Sequence, residues 1–370
     1  MGSQSAPQPA GDEPTYPLLA ADHPLNGEVG RSAPLIQAAL RRPVSRTPVW
    51  FMRQAGRSLP EYRKVREGVA MLDSCFRTDL VTEITLQPIR RYGVDAAIFF
   101  SDIVVPLKAI GVNLDIVPSV GPVVAEPFRR AEDVTRLRSL EESDVSTITA
   151  AVQELVRELG TTPLIGFAGA PFTLASYLIE GGPSRDHAQT KALMYGQPDV
   201  WHALLGALAD IAGQFLRLQV LSGASAIQLF DSWVGALSPR DYREYVQPHS
   251  MHALSYVAEL GAPRIHFGVG TGELLTDMRD AGTEVVGVDF RVPLSEAAKR
   301  VGPNHALQGN LDPAILFADV DTVTTQTLRV LADARGLPGH IFNLGHGVLP
   351  ATDPNILARV VELVHENPTS

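Results

Sequence analysis

The 370-residue chain contains a single cysteine, Cys75. One thiol excludes an internal disulfide, and it excludes a zinc site built from two or more thiolates. The sequence also lacks the uninterrupted run of roughly 18 apolar residues that marks a membrane-spanning helix. We therefore expect neither a disulfide framework nor a thiolate-rich metal centre, and we do not expect a membrane partner.

A basic excess is absent as well. The chain has 31 Lys and Arg against 41 Asp and Glu, which gives a formal net charge of −10. Nucleic acid would need a basic footprint, so it is not an expected partner. Hydrophobic residues make up 45% and charged residues 19% of the chain, a composition typical of a globular protein.

The first 30 residues differ from the rest. They are dominated by Pro, Gly, Ala, Ser and Asp, and they have neither a basic start nor the apolar core of roughly 7–15 residues that a signal peptide requires. This pattern predicts a disordered tail over residues 1–30, a folded domain over residues 31–370 and a cytoplasmic location.

Beyond residue 48, short apolar runs alternate with longer helical patterns, which is typical of βα units around a parallel sheet. Eight such units favour a single α/β domain, a closed (β/α)8 TIM barrel with its active-site cleft at the C-terminal rim of the strands. Helical patterns between the runs include Arg77–Tyr92, Trp201–Leu221, Pro239–Leu260 and Asp312–Ala334. An insertion at Asn113–Glu126 and a helix at Glu132–Leu159 separate the second and third units. The predicted strands are Val49–Met52, Ala96–Phe100, Leu164–Phe167, Ala226–Phe230, Arg264–Phe267, Val285–Val288, Ala306–Gln308 and His340–Asn343.

Polar residues recur just after these strands, where a barrel would gather them around one pocket. They include two arginines, three aspartates and a histidine: Arg53, Arg57, Asp102, Asp231, Asp289 and His346. The most unusual stretch is Trp50 to Glu67, with five basic residues against two acidic ones. Because arginine binds carboxylates and phosphates through two parallel hydrogen bonds, this stretch is interpreted as an anion-binding segment.

A second interpretation rests on the glycine-rich stretch from Phe267 to Glu273, which is followed by a strand ending in Asp289. A strand, a glycine turn, a helix and an acidic strand end are how a Rossmann unit holds a dinucleotide or adenosyl group. The stretch lies late in the chain, whereas a cofactor-binding domain usually opens with it. A methyltransferase therefore stays open as the alternative function.

The arginine segment belongs to a longer set of motifs. In chain order these are Met52–Arg57, Leu59–Arg63, Phe100–Ile103, Gly166–Tyr177, Glu180–Gly182, Leu229–Trp233, Gly309–Pro313 and Asn343–Gly347. Together they resemble the uroporphyrinogen decarboxylase family of haem and porphyrin biosynthesis, from about residue 34 to the end. One departure is Ser58, where the family usually carries a tyrosine.

The resemblance implies a homodimeric (β/α)8 barrel that converts the four acetate side chains of uroporphyrinogen III to methyl groups, releasing CO2 and giving coproporphyrinogen III, with no cofactor and no metal. It implies catalytic roles for Asp102, Arg53 and Tyr177. Asp102 would accept hydrogen bonds from pyrrole N–H groups and stabilise positive charge on the ring. The implied substrate-binding residues are Arg53, Gln54, Ala55, Gly56, Arg57, Arg66, Asp102, Tyr177, Phe230, Ser232 and His346.

Overall fold

A computed structural model describes residues 16–367. Its centre is a parallel sheet of seven strands in the order β1-β4-β5-β6-β7-β8-β9, and β2 and β3 form a separate antiparallel hairpin. The strands are β1 (Ala97–Ile98), β2 (Leu114–Val117), β3 (Gly121–Val124), β4 (Leu164–Gly169), β5 (Ala226–Asp231), β6 (Arg264–Gly268), β7 (Val285–Gly287), β8 (Ala306–Gln308) and β9 (His340–Ile341).

The central strands are buried along almost their whole length because both faces of the sheet are covered. All six residues of β4 are buried, and in β5 only Phe230 is partly exposed. Such continuous burial is the pattern of a parallel sheet rather than of a half-solvated one. Seven of the eight predicted strands are thereby confirmed, with shorter ends at β1 and β9, and the insertion at Asn113–Glu126 holds the hairpin.

The first predicted strand, Val49–Met52, is not confirmed as a strand. Within this segment, Val49 forms a single parallel bridge to Phe342, next to β9. Its carbonyl accepts a hydrogen bond of 2.8 Å from the backbone of Asp95, just before β1. The segment therefore hydrogen-bonds to both edges of the seven-stranded sheet without extending into a regular ladder.

A chain of side-chain hydrogen bonds shows that the sheet is curled. The indole of Trp50 donates to Gln308 over 3.0 Å, and the amide of Gln308 donates to Gln228 over 2.8 Å. Gln308 lies on β8 and Gln228 on β5, and two strands separate them in the sheet. A flat sheet would hold these strands about 14 Å apart, so contact between short side chains requires strong curvature.

Seventeen α-helices surround the sheet within residues 16–367: α1 (Glu28–Ser32), α2 (Pro34–Ala39), α3 (Pro60–Val65), α4 (Met71–Cys75), α5 (Thr78–Tyr92), α6 (Val105–Ala109), α7 (Ala131–Val134), α8 (Ser146–Leu159), α9 (Pro171–Glu180), α10 (Ala188–Gly196), α11 (Pro198–Leu221), α12 (Pro239–Tyr245), α13 (Gln247–Ser255), α14 (Leu275–Asp280), α15 (Leu294–Val301), α16 (Val320–Asp333) and α17 (Pro354–Glu366). Several begin at proline, whose fixed φ and missing N–H suit the first helical turn.

Three long helical patterns are divided in the structure. The pattern Pro239–Leu260 forms α12, α13 and a 3₁₀ turn, because Pro248 starts a new helix. The pattern Asp312–Ala334 contains a 3₁₀ turn before α16, and the predicted helix Glu132–Leu159 is α7 followed by α8. Helical periodicity survives such breaks, whereas the helix starts are set by proline and by capping side chains.

The predicted tail over residues 1–30 needs correction. Residues 1–15 lie outside the described residues, but residues 16–30 are folded, with Leu25 and Val29 buried. The imidazole of His23 donates to the carbonyl of Val220 over 2.8 Å, which fixes this segment against the end of α11. The prediction of disorder is wrong there because a few well-placed apolar side chains suffice for docking without producing a periodic pattern.

One helix among residues 16–367 has the length and hydropathy of a membrane span. It is α11, and 67% of its most apolar window is buried inside the molecule. It packs against α9, β4 and α13. This burial is typical of a core helix.

Candidate active site

The carboxyl ends of the parallel strands bring predicted site residues together. Asp102 follows β1, Tyr177 lies on α9 after β4, and His346 follows β9. The positive charge of Arg53 acts on the pKa of each of these three groups. Four residues separated by up to 293 positions therefore share one site.

Arg53 is aimed by an unusual backbone conformation. Its φ of 61° is left-handed, which is uncommon for a residue with a side chain. Its neighbour Met52 is fixed on both sides, since its N–H donates to Asn343 over 3.1 Å and its carbonyl accepts from Val348 over 2.8 Å. These contacts hold the turn, and the side chain of Arg53 stays exposed.

Gln54 fixes the backbone of the arginine segment. Its side chain is fully buried; it accepts from the N–H of Phe51 and donates to the carbonyl of Ala96, each over 3.0 Å. Both ends of the amide are thus used to fix the segment, and substrate binding at Gln54 stays a prediction. The half-buried Ala55 follows, and Gly56 is needed because a Cβ there would lie 2.9 Å from the carbonyl oxygen of Arg53.

Arg57 and Arg66 differ in their surroundings. Arg57 is exposed, and within residues 16–367 no carboxylate forms an ion pair with it. The guanidinium of Arg66 is held by the carbonyl of Ala70 over 2.8 Å and by the hydroxyl of Ser74 over 2.5 Å, and it lies 5.8 Å from the ring centre of Tyr62. Arg57 is therefore free for an anion, whereas Arg66 is already well fixed.

Asp102 is a partly exposed carboxylate in an apolar wall. Burial raises its pKa, while the N–H groups of Val104 and Ile103 and the charge of Arg53 oppose this rise. The N–H of Val104 donates to Oδ1 over 3.1 Å. The site thus holds one carboxylate whose negative charge is poorly solvated, which makes it a strong partner for a cation or an N–H donor.

Tyr177 lies on α9, near enough to Asp102 for that carboxylate to act on its pKa. Burial raises its pKa, so the phenol stays protonated and can donate a hydrogen bond. The ring packs edge-to-face on Trp233 at 5.9 Å. The backbone N–H of Trp233 donates to Thr173 over 3.3 Å, and the hydroxyl of Thr173 donates to the buried Asp231 over 2.8 Å. A buried carboxylate thereby supports the wall around Tyr177.

Phe230 and Ser232 flank that carboxylate along the chain. The ring of Phe230 packs edge-to-face against Phe167 at 5.4 Å and Phe267 at 6.2 Å, which forms an aromatic surface at the strand ends. Ser232 is half-buried on the next turn. The structure brings an apolar face and a hydroxyl to the same edge as the charged groups.

His346 carries its proton on a defined nitrogen. The N–H of Gly347 donates to Nδ1 over 2.7 Å, so the neutral ring holds its proton on Nε2. Burial, followed by the charges of Arg53 and Arg291, lowers its pKa. The ring is therefore neutral near pH 7 and can donate from Nε2.

Sequence reasoning missed Arg291 and Trp233. Arg291 stands two residues after Asp289 on the rim, with 51% of its side chain exposed. The sequence feature that could have revealed Arg291 is an aromatic and a cationic residue, Phe290 and Arg291, directly after a predicted strand. Trp233 follows Ser232, and its position beside an acidic strand end offered a similar signal.

The glycine-rich stretch does not form a nucleotide cradle. The carboxylate of Asp289 accepts hydrogen bonds from the N–H groups of Gly270 and Arg291 and pairs with the guanidinium of Arg291. It is therefore occupied where a ribose hydroxyl would need it. Within residues 16–367, no group of three His, Cys, Asp or Glu side chains is arranged to hold a metal ion.

Comparison with known proteins gives a consistent picture. Residues 31–367 match the family model described as uroporphyrinogen decarboxylase (URO-D). A protein from Streptomyces coelicolor named uroporphyrinogen decarboxylase is 66% identical over 334 residues, covering 90% of this chain and 94% of that protein. A protein of the same name from Salinispora tropica is 64% identical over 334 residues, covering 90% of each chain.

Solved structures share the fold at much lower identity. A methyltransferase from Methanosarcina mazei superposes with a TM-score of 0.74 at 17% identity, covering 90% of this chain and 97% of that one. A B12-independent methionine synthase from Shewanella sp. W3-18-1 gives a TM-score of 0.53 at 12% identity, covering 78% and 87%. At such identities the likeness concerns the fold alone.

Proposed function

Since the chain belongs to the uroporphyrinogen decarboxylase family and is a carboxy-lyase of porphyrin biosynthesis, we propose that it removes CO2 from the four acetate side chains of uroporphyrinogen III without a cofactor. The observation that carries this proposal is the placement of exposed, positively charged Arg53 near a poorly solvated Asp102. In a polycarboxylate with central N–H groups, the carboxylates match the positive charge of Arg53 and the N–H groups match the negative charge of Asp102.

The chemistry needs an electron sink. A proton adds to the pyrrole α-carbon beside the acetate and makes the ring cationic. The bond to the carboxylate then breaks, its electron pair enters the ring and CO2 leaves. A proton adds to the resulting methylene carbon and the α-proton departs, which leaves a methyl group. The carboxylate of Asp102 stabilises the cation and accepts from pyrrole N–H groups, and this electrostatic contribution is strongest in a poorly solvated site.

Each remaining residue has a role in this proposal. Arg53 and Arg57 bind peripheral carboxylates, Tyr177 and His346 donate hydrogen bonds to carboxylates through Oη and Nε2, and Ser232 donates from its hydroxyl. Phe230 packs against the macrocycle. Gly56 and Ala55 allow close approach, and Arg66 binds an outlying carboxylate. Gln54 contributes by fixing the arginine turn, and its backbone alone borders the site.

Anaerobic incubation with chemically reduced uroporphyrinogen tests the proposal. We expect stepwise loss of four carboxyl groups, which chromatography of the oxidised porphyrins measures. The rate of decarboxylation should persist after the enzyme is dialysed against a chelator. Tyr177→Phe should lower kcat/KM about tenfold, as expected for one hydrogen bond to a charged group, whereas Tyr195→Phe, which loses a surface hydrogen bond to Asp241, should not. Absence of turnover by the wild-type enzyme would refute the proposal.

We also include a closed eight-stranded barrel over residues 31–370, a homodimer and a cytoplasmic location in the proposal. Support for closure comes from the bonds of Val49 to both sheet edges. The family resemblance supports the dimer and the location. Analytical ultracentrifugation at micromolar concentration tests the dimer, and a mass of 39.8 kDa throughout would contradict it.

A further inference from the structure

Three segments lie side by side at the carboxyl edge of the sheet. A Cβ on Gly345 would overlap the backbone nitrogen of Phe290, and a Cβ on Gly347 would lie 2.6 Å from Cδ of Arg53. His346 is therefore held between two neighbours, the Arg53 turn on one side and the segment after β7 on the other. That second segment carries Arg291.

The guanidinium of Arg291 is held on one side only. It pairs with the carboxylate of Asp289 at 2.5 Å, and its central carbon lies 4.4 Å from the ring centre of Phe290. The Asp289 side chain is 1% exposed and also accepts from two backbone N–H groups, so it is a fixed anchor. The side chain of Arg291 remains 51% exposed.

This arrangement pre-orients a hydrogen-bonding fork. A guanidinium has five N–H donors, and one carboxylate together with one aromatic face restricts its orientation without using all of them. Rotamer freedom that is already lost in the free protein need not be lost on binding. The exposed edge of Arg291 is thus prepared for a second anion.

Because the whole molecule is negatively charged, a cationic residue at the site strengthens the binding of an anionic substrate. With a net charge of −10, the protein repels a polyanion at long range, so attraction must come from cations at the site. Arg53 and Arg57 supply positive charge on one side of His346. Arg291 supplies it on the other, and both Arg53 and Arg291 are close enough to act on His346 electrostatically.

We propose that Arg291 is a further substrate-binding residue, which grips a peripheral carboxylate of the tetrapyrrole across the His346 loop from Arg53, with Asp289 and Phe290 as its positioning residues. The inference rests on the proposed function, since it assigns the ligand as the same polycarboxylate. It adds a contact on the β7 side of the site, which the predicted binding set does not contain.

The test is a binding titration with uroporphyrin, the oxidised octacarboxylate. Fluorescence quenching measures the fraction of protein that has bound the porphyrin. We expect Arg291→Gln to raise Kd about tenfold, in line with the loss of one charged hydrogen bond, and to raise KM similarly with kcat within about twofold. Arg291→Lys keeps a charge for Asp289 but loses the planar fork, so an intermediate Kd is expected. Thermal unfolding of each variant reports on folding independently.

Arg217→Gln is the matched control. Arg217 also pairs with a carboxylate, Glu259 at 3.1 Å, and its side chain is 31% exposed, but it lies near the end of α11, which leads into the start of β5. Its Kd should equal that of the wild type. An unchanged Kd in Arg291→Gln, an equal loss in Arg217→Gln or a wild-type protein that does not bind the porphyrin would each overturn the inference. A wild-type protein that binds uroporphyrin without decarboxylating uroporphyrinogen would contradict the proposed function instead.

Discussion

The side chain of Arg53 lies directly against Gly347. A Cβ placed on Gly347 would be 2.6 Å from Cδ and 2.9 Å from Cγ of Arg53, both closer than real carbon contacts allow. Residue 347, directly after His346, must therefore be glycine for Arg53 to keep its position, because any side chain at residue 347 would displace the Arg53 side chain.

Gly347→Ala should move Arg53 out of its binding position. Because a displaced guanidinium loses a charged hydrogen bond to the substrate, we expect kcat/KM for uroporphyrinogen to fall about tenfold or more. Steady-state kinetics measures this. Gly206→Ala is the control, since a Cβ at this helical position meets nothing within 4 Å, and it should leave kcat/KM unchanged. Normal kinetics in Gly347→Ala would show that the two residues are not coupled.

Asp102→Asn should remove the stabilising charge and keep the shape of the site. We expect kcat to fall by about 10²–10³, the range seen when one preorganised electrostatic partner is lost, with a much smaller change in KM. Asp79→Asn alters an exposed carboxylate near the start of α5 and serves as control. A near-normal kcat in Asp102→Asn would rule out charge stabilisation by this group.

The same substitution should stabilise the free protein at neutral pH. Burial raises the pKa of Asp102 above its ordinary value, so the ionised form is less favourable in the folded than in the unfolded chain. This penalty is complete above the raised pKa and disappears as pH falls below the ordinary value of about 3.9, where both states bind the proton. Urea unfolding at several pH values should show Asp102→Asn more stable than the wild type at pH 7, with the difference shrinking in acid. A difference that is constant with pH would contradict this account.

Much of the fold was predictable because the buried parallel strands leave continuous apolar runs in the sequence. The runs that became β4 and β5 are examples, since both faces of these strands are covered. The segment around Val49 looks the same in sequence, but its partners, Asp95 and Phe342, lie at opposite edges of the sheet. Pairing of that kind is set by tertiary geometry, which local patterns do not record.

The site shows the same division. Asp102 and His346 follow β1 and β9, and Tyr177 lies on the helix after β4, so the topology that the sequence predicts brings them to one edge. Arg53 follows a segment that is bridged to the sheet but is not a strand. For Gln54 the resemblance implies substrate binding, and the structure adds that its amide fixes the backbone. Only coordinates show which of two polar neighbours faces inward.

His346 should titrate below the ordinary histidine pKa of about 6.5. Burial lowers its pKa, and the nearby charge of Arg53 lowers it further. Protonation of the folded state therefore occurs only at a more acidic pH, and the ring remains neutral near pH 7. NMR titration of the labelled imidazole should show this midpoint, with the proton on Nε2. Arg53→Gln should raise the midpoint and Arg217→Gln should not; a midpoint at or above 6.5 in the wild type would contradict the prediction.

Asp95 holds the residues just before the arginine segment beside the end of α17. Its carboxylate accepts from the guanidinium of Arg46 at 2.6 Å, from the N–H of Val49 at 2.9 Å and from the imidazole of His365 at 2.7 Å. The side chain is 1% exposed. Two segments distant in sequence, residues 46–49 and the end of α17, thus converge on one buried carboxylate.

Asp95→Ala should therefore destabilise the protein. The buried N–H of Val49 loses its acceptor, which costs about 1–3 kcal/mol, whereas Arg46, whose side chain is 46% exposed, is solvated again. Urea unfolding measures the loss. Val49, whose N–H donates to Asp95, lies four residues before Arg53. We therefore also expect KM for uroporphyrinogen to rise under conditions where the variant is folded. Glu296→Gln, which breaks an exposed ion pair on α15, is the control and should change neither property measurably. A loss of stability no larger than that of this surface control would show that Asp95 does not hold the segment in place.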